Sequence, residues 1–243
     1  MADRLPELAS LPTGLVLDGD LVAFALDGRP SFPLLCVRVL HGREAIPVTF
    51  MVFDARTGGP LAWRIEAAKA TELSCLEPLL DALDARGFRP ETVIGDTGYD
   101  YMPGHETVME HGAVPVFARR RFAGKDDWTE APECEHGRWT FAGANFKRRA
   151  AQWRCPTGEC SPKSRWIKAS RRNPLLPRGT RRFGKLYAGR GAVERGFGRL
   201  KNEYGLTPLR TRGRERVALH ADLVMLARLS QALARARAVP LAA

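Results

Sequence analysis

Two short runs of this 243-residue chain hold residue types that could do chemistry together. In Gly95-Asp96-Thr97-Gly98-Tyr99-Asp100, a carboxylate follows directly on the apolar run Thr92-Val93-Ile94. The C-terminal edge of a buried strand is where α/β folds place working groups, and Gly98 lets the backbone turn close to a ligand. An aspartate that merely caps the next turn has the same local pattern. In the second run, Tyr187, Arg190, Glu194 and Lys201 follow the spacing Y-x2-R-x3-E-x6-K. On a helix, Arg190, Glu194 and Lys201 project from one face. Such a face is either a surface ion-pair ladder or a site where Glu194 gives a carboxylate oxygen to Mg2+ while Arg190 and Lys201 hold phosphates. A third set, Cys134-x-His136 with Cys155-x4-Cys160, offers four soft ligands in two close pairs, which suits tetrahedral Zn2+. Its spacing is looser than paired C-x2-C motifs.

The first two runs together resemble the DDE transposases of bacterial insertion sequences, in the group marked by a Tyr-Arg-Glu-Lys signature. Gly95 to Asp100 is similar to that family's second catalytic-Asp motif. Tyr187, Arg190, Glu194 and Lys201 match the signature at every spacing, with the catalytic glutamate falling on Glu194. The segment Phe53-Asp54-Ala55-Arg56-Thr57-Gly58 through Ile65 is similar to the second and third core strands, and the resemblance runs from about Leu15 to Ala236. The family's first catalytic aspartate lies on the first core strand in an Asp-Gly-Thr-like triplet, which makes Asp18 of Leu17-Asp18-Gly19-Asp20 the best match. Asp20, two residues on, shares its face of the strand, and Asp54 ranks third because it opens a turn. Thr97 stands where the family usually has Lys or Arg, a departure that weakens a phosphate contact without touching the metal.

The resemblance implies an RNase H-like α/β core: three antiparallel strands, then a mixed five-stranded sheet flanked by helices. It implies two Mg2+ or Mn2+ ions held by Asp18, Asp96 and Glu194, with Tyr187, Arg190 and Lys201 on the DNA backbone. The implied partners are double-stranded transposon ends and target DNA, with the protein a homodimer when assembled on them. The implied activity is phosphodiester hydrolysis and strand transfer. Relatives carry a helical DNA-binding region before the first aspartate, whereas seventeen residues precede Asp18 here. A truncated or inactive remnant that binds DNA without catalysis is therefore an alternative expectation, and a free-standing RNase H-like nuclease is another.

Several elements must position these groups. Strand-like runs are Leu15–Leu17, Leu21–Leu26, Pro33–Val39, Pro47–Phe53 and Leu61–Ile65, the last two joined by a turn rich in glycine. Leu73, Leu76, Leu79, Leu80 and Leu83 then recur at helical spacing, and Gly87 with Pro90 stops that helix. Thr92–Gly95 predicts a buried strand, the stretch near Glu106–His111 a helix, and Val114–Ala118 another strand. Between Arg119 and Gly184 the pattern dissolves into Pro, Gly, Arg and Trp, and a metal would explain how such a stretch folds without a core. A helix returns near Arg190 through Val193, Phe197 and Leu200. Another runs from Arg214 to Arg237 with Val217, Leu219, Leu223, Leu226 and Leu229. The chain thus divides into a first part of the core over 1–118, a basic insertion over 119–184, and completing helices over 185–243.

Composition narrows the partner class. Lys and Arg number 38 against 27 Asp and Glu, for a net charge of +11. About two thirds of these bases fall between Arg119 and Arg216, where a polyanion such as DNA gains affinity by counterion release. With 44% hydrophobic residues the composition is that of a globular protein, not of a disordered tail. No uncharged apolar stretch of about 18 residues suggests a membrane span, and the acidic start MADRLPELAS lacks the apolar core of a secretory signal. An odd count of five cysteines points to a reducing, cytoplasmic location. Cys36 and Cys75 read as core thiols, and His41, His105, His111 and His220 as structural.

Overall fold

The computed structural model describes residues 14–20, 47–67, 70–121, 129–209, 211 and 213–238, over 14–20 and 47–48 by the backbone alone. The strand-like runs Leu21–Leu26 and Pro33–Val39, with Cys36 and His41, lie outside the described residues. The fold is mixed α/β, and the chain divides into two compact units, Val16–Leu83 with Gly191–Ala243, and Met1–Leu15 with Asp84–Arg190.

In the first unit, strand β1 (Gly14–Asp20) neighbours β2 (Pro47–Asp54), which pairs antiparallel with β3 (Pro60–Ala67). The register sets Met51 opposite Trp63 and Val52 opposite Ala62, then shifts by a bulge at Phe53. Phe50, Met51, Val52 and Phe53 are all buried, so both faces of β2 are covered. The hairpin closes through Asp54: its backbone N–H donates to the Gly59 carbonyl, its carbonyl accepts from Gly58, and its Oδ1 accepts from the Thr57 N–H at 2.6 Å. Asp54 is therefore the turn residue that the sequence suggested.

Helix α1 (Glu72–Ala85) follows. Thr71 and Ser74 cap it reciprocally, each side-chain oxygen accepting from the other's backbone N–H. Its buried stripe is Cys75, Leu76, Leu79, Leu80 and Leu83, as the periodicity predicts, with Cys75 the core thiol expected.

The second unit is built on a strand–helix–strand crossover. Strand β4 (Thr92–Gly95) is buried throughout and pairs parallel with β5 (Val114–Phe117), Ile94 opposite Val116. Helix α2 (Met102–Glu110) joins them. It starts earlier than apolar spacing suggests, because Pro103 sits in its first turn, where a missing N–H costs nothing.

The stretch expected to lack structure does not. It forms a small hairpin, β6 (Glu133–Cys134) with β7 (Gly137–Arg138), and a three-stranded antiparallel sheet of β8 (Thr140–Asn145), β9 (Ala150–Arg154) and β10 (Ser164–Lys168) in the order β10-β9-β8. It also has a core of its own: Trp139, Ala151, Trp153 and Cys155, with Phe141 edge-on to Trp153. The sequence hid this because β8 spells Thr-Phe-Ala-Gly-Ala-Asn, which alternates in exposure but hardly in hydrophobicity. Helix α3 (Arg181–Tyr187), capped by the Thr180 hydroxyl, ends this unit in a single 3-10 turn, Ala188–Arg190.

Returning to the first unit, helix α4 (Gly191–Glu203) packs on β2 through Ala192, Val193, Gly196, Phe197 and Leu200. Phe197 meets the Phe53 ring edge-on at 5.2 Å. The approach is so close that a Cβ on Gly196 would lie 2.5 Å from Phe53 Cε1. Helix α5 (Arg214–Ala238) packs on β3 and accepts a 2.7 Å bond at Asp222 from Trp63 Nε1. Its buried side is Val217, Ala221, Val224 and Met225, whereas Leu219, Leu223, Leu226 and Leu229 are exposed. By length and composition it is the one helix among the described residues that could cross a membrane. Its two interior charges have partners, Asp222 at Trp63 and Arg228 over the Tyr204 ring at 5.7 Å.

The glycine contacts give a direct test. Gly196→Ala should destabilise the protein by about 1–3 kcal/mol in urea unfolding through overpacking against Phe53. Gly198→Ala, on the same helix with open space around its Cβ position, should be neutral or stabilising by up to about 1 kcal/mol.

Candidate functional site

Asp96 is delivered by the C-terminal end of β4 into a 3-10 turn, Thr97–Tyr99, which it caps by accepting the Gly98 N–H at 2.7 Å on Oδ1. Capping and chemistry are compatible, since the cap uses one oxygen and leaves Oδ2 for a cation or a proton donor. The preceding residue must be glycine for packing reasons. A Cβ on Gly95 would meet Tyr99 Cδ2 at 2.8 Å and Phe117 Cδ1 at 2.9 Å. Tyr99 is fully buried against Phe117, so the turn is pinned from below while Asp96 stays half-buried.

Four residues past Asp96 lies a group that sequence reasoning missed. Asp100 is fully buried with its carboxylate saturated. Oδ1 accepts from His105 Nε2 at 2.8 Å and from Arg178 at 2.5 Å, while Oδ2 accepts from the Arg120 N–H at 2.8 Å and lies 3.1 Å from Arg171 Nε. Arg178 also binds Glu130 at 2.6 Å and donates to the Phe117 carbonyl at 2.9 Å. Arg171 donates to the Asp100 carbonyl at 2.8 Å and to the Arg120 carbonyl. The Asp96 turn, the end of β5 and the segment 170–180 are thus tied at one carboxylate. An ionised carboxylate only accepts, so Nε2 of His105 carries the ring proton.

Burial pushes the Asp100 carboxyl up, but the His105 bond, the Arg178 charge and the Arg120 N–H outweigh it and hold it below the ordinary 3.8. Burial pushes His105 below the ordinary 6.5 despite Asp100 beside it, so its neutral form is favoured. His111 and His220 also have structural partners, the first at 2.8 Å from Asp84 Oδ2, the second at 3.0 Å from the Gly205 carbonyl.

The Tyr-Arg-Glu-Lys residues fall on three successive elements, not on one helix. Tyr187 ends α3 stacked on Phe183 at 5.6 Å, and Arg190 closes the 3-10 turn. Glu194 and Lys201 share α4, seven residues apart and so on one face. Glu194 is exposed in the first helical turn, opposite the buried residues that seat α4 on β2. Lys201 Nζ lies 5.6 Å from the Phe197 ring centre. Asp18 and Asp20 lie on β1, and Asp54 is buried, with Oδ1 accepting the Thr57 N–H of its turn and Oδ2 without a hydrogen-bond partner among the described residues.

The family model of the transposase DDE domain matches residues 47–230. The chain belongs to this transposase family. The matched region of the transposase domain contains the Asp96 turn and all of Tyr187 to Lys201, while Asp18 precedes it. A piggyBac transposase, solved by cryo-EM as a synaptic complex with hairpin DNA, is similar in structure at a TM-score of 0.45 and 13% identity. That likeness covers 89% of this chain and 45% of the other, so the chain spans less than half that protein's length. No curated protein matches the chain.

The soft-ligand set is gathered in part. The thiols of Cys134, Cys155 and Cys160 lie within 4.8 Å of one another, all unbridged. His136 is not in the cluster: its Nε2 lies 3.4 Å from Glu135 and its Nδ1 3.4 Å from Glu159. Burial and the neighbouring sulfurs push the Cys160 thiol up, while for Cys155 bonds from Thr157 and the Cys160 backbone outweigh burial and hold it down.

Both Asp100 and His105 should cost stability on acidification. The unfolded chain gains a proton at His105 that the folded chain resists below about 6.5, and the Asp100 contribution, complete above 3.8, is lost as pH falls through its lower folded value. Thermal melts should therefore fall in two stages, and Asp100→Asn should abolish the lower one. Asp100→Ala, which removes the carboxylate shared by two half-buried guanidinium groups and leaves the buried His105 without its acceptor, should cost about 3 kcal/mol in denaturant unfolding.

Proposed function

We propose that this transposase-domain protein is a DNA transposase that hydrolyses phosphodiesters at insertion-sequence ends and joins the freed 3′ ends to target DNA. The single observation that carries the reading is the family match, which takes in both the Asp96 turn and the Glu194 helix. In this reading the core is RNase H-like, assembled from the β3-β2-β1 and β4-β5 stretches with their helices over 1–118 and 185–243, and 119–184 is a basic insertion. Asp18, Asp96 and Glu194 are its catalytic acids.

Carboxylates are hard oxygen donors and suit Mg2+ or Mn2+, which keep several waters. When bound, two such ions activate the attacking oxygen and stabilise the leaving one. The chain's own part is positional. The Gly98 N–H fixes the Asp96 carboxylate, and the seat of α4 on β2 fixes where Glu194 emerges. Arg190 and Lys201 neutralise backbone phosphates and Tyr187 orients one, contacts that set register without reading sequence.

The insertion adds a surface for the same polyanion. Trp166 on β10 is 43% exposed, with Arg148 over its ring at 5.9 Å from the centre. Exposed aromatic and guanidinium groups in a basic face are what nucleic acid binds. The partners in this reading are transposon ends and target duplex, the protein acts as a homodimer on DNA, and its location is cytoplasmic.

The test is a nicking and strand-transfer assay on end-containing duplex with Mn2+. Asp96→Asn and Glu194→Gln should each lower nicking by about 100-fold or more while DNA binding persists. DNA bound but never nicked by the parent protein supports the inactive remnant instead, and nicking without joining supports a nuclease. Lys201→Ala should weaken binding and reduce the slope of log affinity against log salt by about 1. An unchanged slope would remove Lys201 from the phosphate contacts.

A further inference from the structure

We propose that Cys134, Cys155, Cys160 and His136 form a structural Zn2+ site that locks the insertion's hairpin to its three-stranded sheet. Three thiols from three separate segments, β6, the end of β9 and the loop before β10, converge within 4.8 Å. The Cys134 and Cys155 sulfurs are 3.9 Å apart. Bonds of about 2.3 Å to a tetrahedral zinc set two sulfurs about 3.8 Å apart, whereas a disulfide needs about 2.05 Å. Three cysteines also cannot pair among themselves, so a shared cation satisfies all of them where a disulfide leaves one over.

The packing points the same way. The insertion's own core is two tryptophans, an alanine and Cys155, with Ala131, Phe141, Ile167 and the other two cysteines, Cys134 and Cys160, packed against it. A core that small seldom stabilises a fold by itself, and natural folds of this size add metals or disulfides. The fourth ligand is within reach. His136 sits on the turn that follows Cys134, and its Nδ1 is already 3.4 Å from Glu159, the neighbour of Cys160. In this proposal the His136 ring turns from the glutamates to bring one nitrogen to the sulfurs. The other nitrogen then faces Glu135 or Glu159, the carboxylate partner that metal-bound histidines commonly have.

The full-length protein, purified under reducing conditions, is assayed for metal by mass spectrometry and then reloaded with Co2+. The expected result is about one zinc per chain, a thiolate-to-cobalt charge-transfer band and the intense visible bands of tetrahedral cobalt. Cys155→Ser and Cys160→Ser should each lower bound zinc at least tenfold, while Cys75→Ala, outside the cluster, keeps it. His136→Ala should shift the cobalt bands and weaken affinity by 10- to 100-fold. Wild-type protein with only trace zinc and no tetrahedral cobalt spectrum overturns the site, whether or not the serine variants fold. An unaltered cobalt spectrum in His136→Ala overturns the fourth ligand.

Discussion

A carboxylate buried with no exposure has to be compensated or it unfolds the region around it, and Asp100 meets that condition with three donors and the Arg171 charge. Moving a charge of this kind out of water costs several kcal/mol per ion, so the network is stabilising only while complete. That requirement disciplines the unit from Asp84 to Arg190. Arg171 and Arg178 come from a stretch with little secondary structure, and both reach Asp100 with backbone carbonyls as second acceptors. The two arginines bracket the buried run Pro174-Leu175-Leu176-Pro177, so packing and charge order this segment together, and the turn carrying Asp96 is held from its far end by the same carboxylate.

The other candidate acid rests on a different principle. Glu194 owes its placement to shape, through a helix whose apolar side is made of small and aromatic residues that fit a fully buried strand. Polar anchoring at Asp100 and close packing at Gly196 thus hold the two candidate acids by different means.

Local pattern explains what could be read from the sequence. The Asp96 motif, the α1 stripe and the β2–β3 hairpin depend on neighbours within a few residues, and their periodicity and turn chemistry were visible. The Asp100 network was not, because its partners lie 71 and 78 residues further on in a stretch without period. The pairing of Asp100 with His105, five residues on, was the one available hint. The insertion's sheet was missed because glycine and alanine replace the large residues that usually mark a strand's inner face. The helix break before α4 is likewise invisible in spacing, since Tyr187 to Lys201 has helical spacing throughout and the break falls at Gly189 and Gly191. The three cysteines that spacing grouped lie together, but spacing says nothing about side-chain rotamers, and the His136 ring lies between two glutamates.

The contact between Gly196 and Phe53 has a geometric corollary. A helix seated on a missing side chain has little freedom to roll, because turning it by one residue swings about 100° and brings a side chain to where only a hydrogen fits. The bearing of its other side chains follows from that seat. The direction in which Glu194 leaves the surface is therefore decided by the smallest residue in its vicinity, two positions away and on the opposite side of the coil.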